Sequence, residues 1–299
     1  MDVEQVRAFL AVAEELHFGR AAQRLHVAQP PLSRTIKKLE RDLGTTLFDR
    51  NTRSVKLTAS GHALITPARE VLNAVRRAEG AVRSADGREF GIVRIAFAGV
   101  STHPLVAELA RSVRSERPGI QLELSSQNFA VSALKRLVRG DTDIALGRWD
   151  VIPEGLCARV VMQDSLVVAV PGTHALASAH ELKLKQLAGE GFVSLPPDEG
   201  SVLADRLRRL AQANGFIADI AQVAPDTQTA LALVSAGVGC HLTLSSVAHN
   251  VRDPHVVFVP LAHAAEAFDV DLRAAWRRSD DSPALRAVLD ELPARGPAR

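Results

Sequence analysis

Residues 17–57, HFGRAAQRLHVAQPPLSRTIKKLERDLGTTLFDRNTRSVKL, decide how the rest of the chain is read. From His17 to Lys56 nine lysines and arginines stand against three acids, a net charge of +6. Inside this stretch Leu32, Ile36, Leu39 and Leu43 recur at spacings of 4, 3 and 4. At about 100° per residue that spacing places them on one helical stripe. Pro30, Arg34, Lys37, Lys38 and Arg41 fall on the opposite side, with Ser33 at the flank. Pro30 and Pro31 suit a first turn, where amide donors are unbonded anyway. The pattern predicts a helix that begins near Gln29 and has an apolar back and a basic front. Upstream, Val3, Val6, Phe9, Leu10 and Ala13 predict a helix over residues 2–15, and Ala21, Ala22 and Leu25 a shorter one over 19–25. Downstream, 46–48 and 54–57 read as two short strands around a basic tip that contains Arg50 and Arg53.

A helix of this kind can enter a major groove, its first residues at base edges and its cations on phosphates. Gln29, Pro30, Pro31, Ser33 and Arg34 form the leading edge. Gln29 can pair in bidentate fashion with adenine and Arg34 with guanine. Lys37 and Lys38 suit the backbone, and Arg50 and Arg53 sit on a wing beside it. The alternative, a basic face that is merely solvated, stays open on the helix alone.

Matches at fixed spacing extend this reading. Ala21-Ala22, Leu25, Gln29-Pro30, Ser33, Leu39-Glu40, Leu43-Gly44, Leu47-Phe48, Arg50, Leu57-Thr58 and Gly61 together resemble the winged helix-turn-helix of LysR-type transcriptional regulators. Within the family the resemblance is nearest to regulators of aromatic catabolism of the catechol-pathway kind. His17 and Ala28 depart from it: small hydroxyl residues usually stand there and supply a cap or a phosphate contact.

Beyond the head, Leu64, Ala68, Val71, Val75, Ala78 and Val82 recur at spacings of 4, 3, 4, 3 and 4, a heptad seam that needs a partner surface. That surface is either a second copy of the helix or the protein's own domain. The resemblance implies dimerisation through this helix, as a homodimer or a homotetramer. SADGREFG, residues 84–91, reads as a hinge.

From Gly91 onward the chain holds 21 basic and 23 acidic residues, so a basic head stands on a near-neutral body. Apolar strand and helix patterns alternate through that body, which predicts an α/β sheet with helices on both faces. The overall expectation is an α/β protein: a winged helix-turn-helix over 1–58, a linker and hinge over 59–90, and an effector domain over 91–299. The resemblance implies two subdomains like a type II periplasmic binding protein, one of 91–161 plus 266–299 and one of 162–265. In open α/β sheets ligands sit beyond the carboxyl ends of strands, where helix N-termini favour anions. Ser101, Thr102, Gln127, Asn128 and Arg148 follow successive strands and predict a carboxylate site. Ser201 and Asp226 are further candidates, although Ser201 also fits a helix cap. Arg148 has a structural alternative, pairing with Asp226 or Asp150.

Composition narrows the function classes. Among 299 residues, 46% are hydrophobic and 23% charged, as in folded globular proteins. Tyrosine is absent and aromatics are 4%, which speaks against stacking platforms for single-stranded nucleic acid. Cys157 and Cys240 cannot build a disulfide framework, the acidic start MDVEQV is unlike a signal peptide, and no stretch reads as a membrane span. A cytoplasmic setting is expected. His241, His249, His255 and His263 lack metal-site spacing, and no nucleotide-loop or nucleophile-elbow motif occurs, so neither metal nor cofactor is called for. The expected partners are double-stranded operator or promoter DNA and a small effector, an aromatic or aliphatic carboxylate, with RNA polymerase a further candidate implied by the family. The rival readings are an effector-independent architectural DNA-binding protein and an enzyme fused to a DNA-binding head.

Overall fold

The computed structural model describes residues 1–51, 54–83, 90–126, 129–197, 201–262 and 270–293. The chain forms two compact units, residues 1–88 with 139–141, and residues 89–138 with 142–299.

In the first unit α1 (Val3–Glu15), α2 (Phe18–Arg24) and α3 (Gln29–Leu43) precede a hairpin of β1 (Phe48–Asn51) and β2 (Ser54–Leu57), and α4 (Ala59–Arg83) follows. Asp2 opens α1 with a capping box, accepting from the Gln5 amide while the Gln5 side chain accepts from the Asp2 amide. Val6, Phe9, Val12, Ala21, Leu32, Ile36 and Leu39 are buried in one core. The expected inward stripe of α3 therefore holds except at Leu43, which is exposed. The helix stops there, and Gly44 turns the chain at a φ of +68°, a conformation glycine adopts without strain. The first strand begins at Phe48 rather than at Thr46. The cause is Glu40, whose carboxylate accepts from the Leu47 and Phe48 amides at 2.9 and 3.2 Å and ties that stretch to α3. Gly61 lies where a Cβ would stand 2.2 Å from the Leu47 carbonyl oxygen, so only glycine lets α4 start against the wing.

The seam on α4 divides. Ala68 is 1% exposed inside the head's own core, with Leu64 and Val71 packed against it, so Ala68 does not face a partner chain. Val75 is half-buried, Ala78 exposed and Val82 77% exposed. The apolar back of α1 needs a cover, and the first turns of α4 supply it.

The second unit alternates strand and helix: β3 (Gly91–Phe97), α5 (His103–Glu116), β4 (Ile120–Ser125), α6 (Ala130–Arg139), β5 (Ile144–Gly147), β6 (Leu156–Met162), β7 (Leu166–Pro171), β8 (Gly191–Ser194), α7 (Val202–Ala213), β9 (Asp219–Val223), α8 (Thr227–Ser235), β10 (His241–Leu244), α9 (Ser245–Asn250), β11 (Val256–Pro260), β12 (Leu272–Arg277) and α10 (Pro283–Glu291). Five strands in the order β4-β3-β5-β12-β6 make the first lobe. The pairs among β3, β4 and β5 are parallel, and β12 is antiparallel to both β5 and β6. The second lobe holds β10-β7-β11 and the parallel pair β8-β9, with Phe192 bridging Cys240 between them. Each lobe buries its own apolar cluster, one around Ile95, Leu109, Ile144 and Leu285, the other around Val168, Phe192, Leu207 and Leu242. The chain passes between the lobes twice, once between β6 and β7 and once between β11 and β12.

Candidate functional site

The head presents α3 outward. Gln29, Pro30, Pro31, Arg34, Lys37, Lys38 and Arg41 are exposed and Ser33 half-buried, while Leu32, Ile36 and Leu39 are buried behind them. Arg34, Lys37, Glu40, Arg41, Gly44, Thr45 and Thr46 line a concave surface where α3 runs into the turn before β1. Arg53 lies outside the described residues, and of Arg50 only the backbone, in β1, is described. Ala28 gives α3 no side-chain cap. His17 behaves differently, because its ring replaces the hydroxyl: Nδ1 accepts from the Gly19 and Arg20 amides at 3.1 and 3.2 Å at the start of α2.

In the second unit a cavity of about 50 Å³ lies among the carboxyl ends of β3 and β5 and the starts of α6, α7, α8 and α9. Ser101, Arg148 and Ser201 line it, as do Phe129, Ala130 and Thr227, the chain neighbours of other expected residues. Gln127 and Asn128 lie outside the described residues. Three helix N-termini at this end of the lobes lack a side-chain cap from their own N-cap residue, those of α5 at Thr102, α7 at Ser201 and α9 at Leu244, and the last is served by Asp164, which accepts from the Ser246 amide at 3.0 Å. The hydroxyl of Thr102 is fully buried and has no hydrogen-bond partner among the described residues. Free amides, buried hydroxyls and apolar walls suit a small anion with an apolar body.

Arg148 lines the cavity, but its guanidinium is also engaged by the frame around it. Its guanidinium is buried against Asp164 at 2.5 Å, its Nε donates to the Val270 carbonyl at 2.7 Å, and its Nη1 donates to the Ser101 hydroxyl at 3.3 Å. Burial lowers its pKa, and Asp164 opposes that shift. Asp164, whose side chain is 0% exposed, also accepts from the Ser245 and Ser246 hydroxyls at 2.7 and 2.6 Å. Asp164 and Val270 lie on the two crossings between the lobes, so Arg148 pins the hinge and its charge is neutralised there. Neither expected alternative partner holds it. Asp226 caps α8, accepting from the Thr229 amide at 2.8 Å, and Asp150 pairs with Arg206.

Comparison with known proteins resolves the family. Residues 3–62 match the bacterial regulatory helix-turn-helix protein, lysR family, and residues 86–296 match the LysR substrate binding domain. The chain belongs to the LysR family. It is 36% identical over 292 residues to the HTH-type transcriptional regulator ShiR of Corynebacterium glutamicum (strain R), covering 97% of each chain. It is also 36% identical over 297 residues to the HTH-type transcriptional regulator XapR of Escherichia coli (strain K12), again covering 97% of each. Full-length CbnR, solved in complex with its target DNA, is 27% identical, with a TM-score of 0.71 and coverage of 98% of this chain and 99% of that one. This LysR protein is therefore a DNA-binding transcriptional regulator with an effector-binding domain. Its relatives are named as regulators, which sets the enzyme reading aside. Among the described residues no helix is long and apolar enough to cross a membrane, and no cluster of His, Cys, Asp or Glu could hold a metal.

Sequence reasoning missed three functional features of this regulator. Glu40 stood in the family motif, but nothing local told that it would hold the wing. Asp164 and Ser245-Ser246 lie some eighty positions apart and meet only through the crossing of the lobes. The Asp150 pair with Arg206 joins the end of β5 to α7, again a contact without a local signature.

Proposed function

We propose that this regulator binds an interrupted inverted repeat as a homodimer or a dimer of dimers, and that a small carboxylate in the cavity shifts its DNA contacts. The observation that carries the effector half is the pair of uncapped N-termini, at Thr102 and Ser201, beside a cavity with buried hydroxyls. The charge that meets the anion comes from helix amides and the hydroxyls of Ser101, Thr102 and Ser201, since Arg148 is already paired and serves the frame. Gln127, Asn128 and Asp226 complete the expected lining. A ligand can bias the regulator only by binding its two states unequally. The cavity of about 50 Å³ holds little more than a water or two, so the effector-bound state has a wider cleft.

In the DNA half, Gln29, Pro30, Pro31, Ser33 and Arg34 read base edges, Lys37 and Lys38 hold phosphates, and Arg50 and Arg53 act from the wing. The domain boundaries follow the same reading: head over 1–58, linker over 59–90 and effector domain over 91–299. Partner chains meet through the exposed part of the α4 seam, from Val75 to Val82. RNA polymerase is a further partner of such a regulator.

One experiment tests the effector half. The full-length protein is screened by thermal shift against aromatic and aliphatic carboxylates, and the strongest responder is titrated by calorimetry into wild type and a Ser201→Ala/Thr102→Val variant. Affinity in the variant should fall at least about tenfold, the equivalent of 1.4 kcal/mol. No response to any carboxylate, or equal affinity in the variant, would overturn it.

A further inference from the structure

The lobes are tied at the hinge by Arg148, and a second charge pair ties them beside the cavity. Gly147 and Arg148 form one wall, and Asp150 follows them in the chain after β5, in the first lobe. Ser201, Val202 and Leu203 form the facing wall, and Arg206 follows one turn further along α7, in the second lobe. Both nitrogens of the Arg206 fork meet the two carboxylate oxygens of Asp150, Nη1 at 3.1 Å and Nη2 closer.

The pair is unequal. Arg206 is held within the domain with its side chain 4% exposed, whereas that of Asp150 is 54% exposed on a loop. Asp205, on the same helix, stands 3.9 Å from the Arg206 guanidinium. If the loop withdraws, Arg206 keeps Asp205 as a counter-ion shared with Arg208 and Arg209, which it meets at 2.8 and 2.7 Å, so parting costs less here than at the hinge. The hinge pair has no such exit: Arg148 and Asp164 are both buried.

We propose that Asp150 and Arg206 are positioning residues that latch the two walls of the cavity, so that the cavity widens when this pair parts while the Arg148 hinge stays closed. The proposal rests on the reading of this cavity as the effector site, but the latch itself is a property of the ligand-free protein. It gives the cleft two arrangements with one pivot, which is what a ligand needs in order to select one of them. The carboxylate of Asp150 sits well below its usual range chiefly because Arg206 donates to it, in keeping with a formed latch.

Hydrogen exchange of the full-length protein without ligand tests this. In Asp150→Asn the hydrogen-bonded amides of the first full turns of α5 and α7, from Val106 and from Arg206 onward, should exchange at least about threefold faster, while β3, β5 and the head keep wild-type rates, because only local opening is eased. Asp150→Glu, which keeps the carboxylate, should restore most of the protection. About 1 M KCl, where the screening length falls to roughly 3 Å, should speed the same amides in wild type and leave Asp150→Asn unchanged. Wild-type exchange in Asp150→Asn would overturn the latch, as would an increase spread evenly over the unit. Because no ligand is present, this result is independent of whether the cavity takes a carboxylate.

Discussion

Arg34 and Lys37 share the exposed face of α3 one turn apart, yet their positions assign them different work. Arg34 stands near the leading end and Lys37 further back. Arg34→Ala should cost about 1–3 kcal/mol on an operator selected from a random duplex library and much less on unselected DNA. Lys37→Ala should weaken both alike and flatten the salt dependence, since it removes a phosphate contact. Equal losses on both DNAs for Arg34→Ala would remove it from base reading. In the body, the buried guanidinium of Arg148 leaves Asp164 as an unpaired carboxylate when it is deleted. Arg148→Ala should therefore lower unfolding stability of the second unit by about 3–5 kcal/mol in urea titrations. Arg148→Lys should recover little, because one ammonium cannot serve Asp164, Val270 and Ser101 together.

Among elements, α3 holds the start of the wing through the Glu40 carboxylate. Glu40→Ala leaves the Leu47 and Phe48 amides without their acceptor, and should destabilise the head by about 1–3 kcal/mol. Operator affinity should fall more than the affinity lost by Glu40→Gln, which keeps an acceptor oxygen; equal affinities for all three proteins would mean that the wing is held by β1 and β2 alone. The seam on α4 calls for a choice of site, because Val71 lies against the head's core and a charge there would damage the head itself. Val82→Glu, at an exposed position, should leave the head folded and shift sedimentation toward monomer if the seam joins two chains. Periodicity alone made α3, α4 and most of the alternating body legible, because each carries one continuous apolar stripe whose spacing shows whatever neighbour it packs against. It failed where one residue serves two masters. Ala68 belongs to a heptad and to the head, and Arg148 follows a strand as a ligand residue would but closes a hinge whose partners lie on distant segments. His17 was illegible for another reason: an imidazole capping a helix carries no signal beyond its place in the motif.

The molecule as a whole should respond to acid through a residue that lines neither site. His241 on β10 is fully buried, its Nδ1 against the Val193 carbonyl at 2.8 Å and its Nε2 without a partner among the described residues. Burial pushes its pKa down to about 4 from 6.5. Between those values the unfolded chain binds a proton that the folded chain refuses, so stability present above pH 6.5 is lost as pH falls toward 4. The loss from this group should reach about 3 kcal/mol, and the pH slope of the urea midpoint should flatten in His241→Gln if the variant remains folded. The order of strands in the first lobe carries a different consequence, one of timing. β12 lies between β5 and β6, yet it is the last strand in the chain, whereas the strands of the second lobe, from Leu166 to Pro260, form one uninterrupted run. As the polypeptide leaves the ribosome the second lobe can close on its own, while β6 waits unpaired until residues 272–277 emerge. A chain truncated before Leu272 and released should therefore yield a protease-resistant second lobe and a first lobe still open to digestion, and the central seat of β12 makes its arrival the step that completes the regulator.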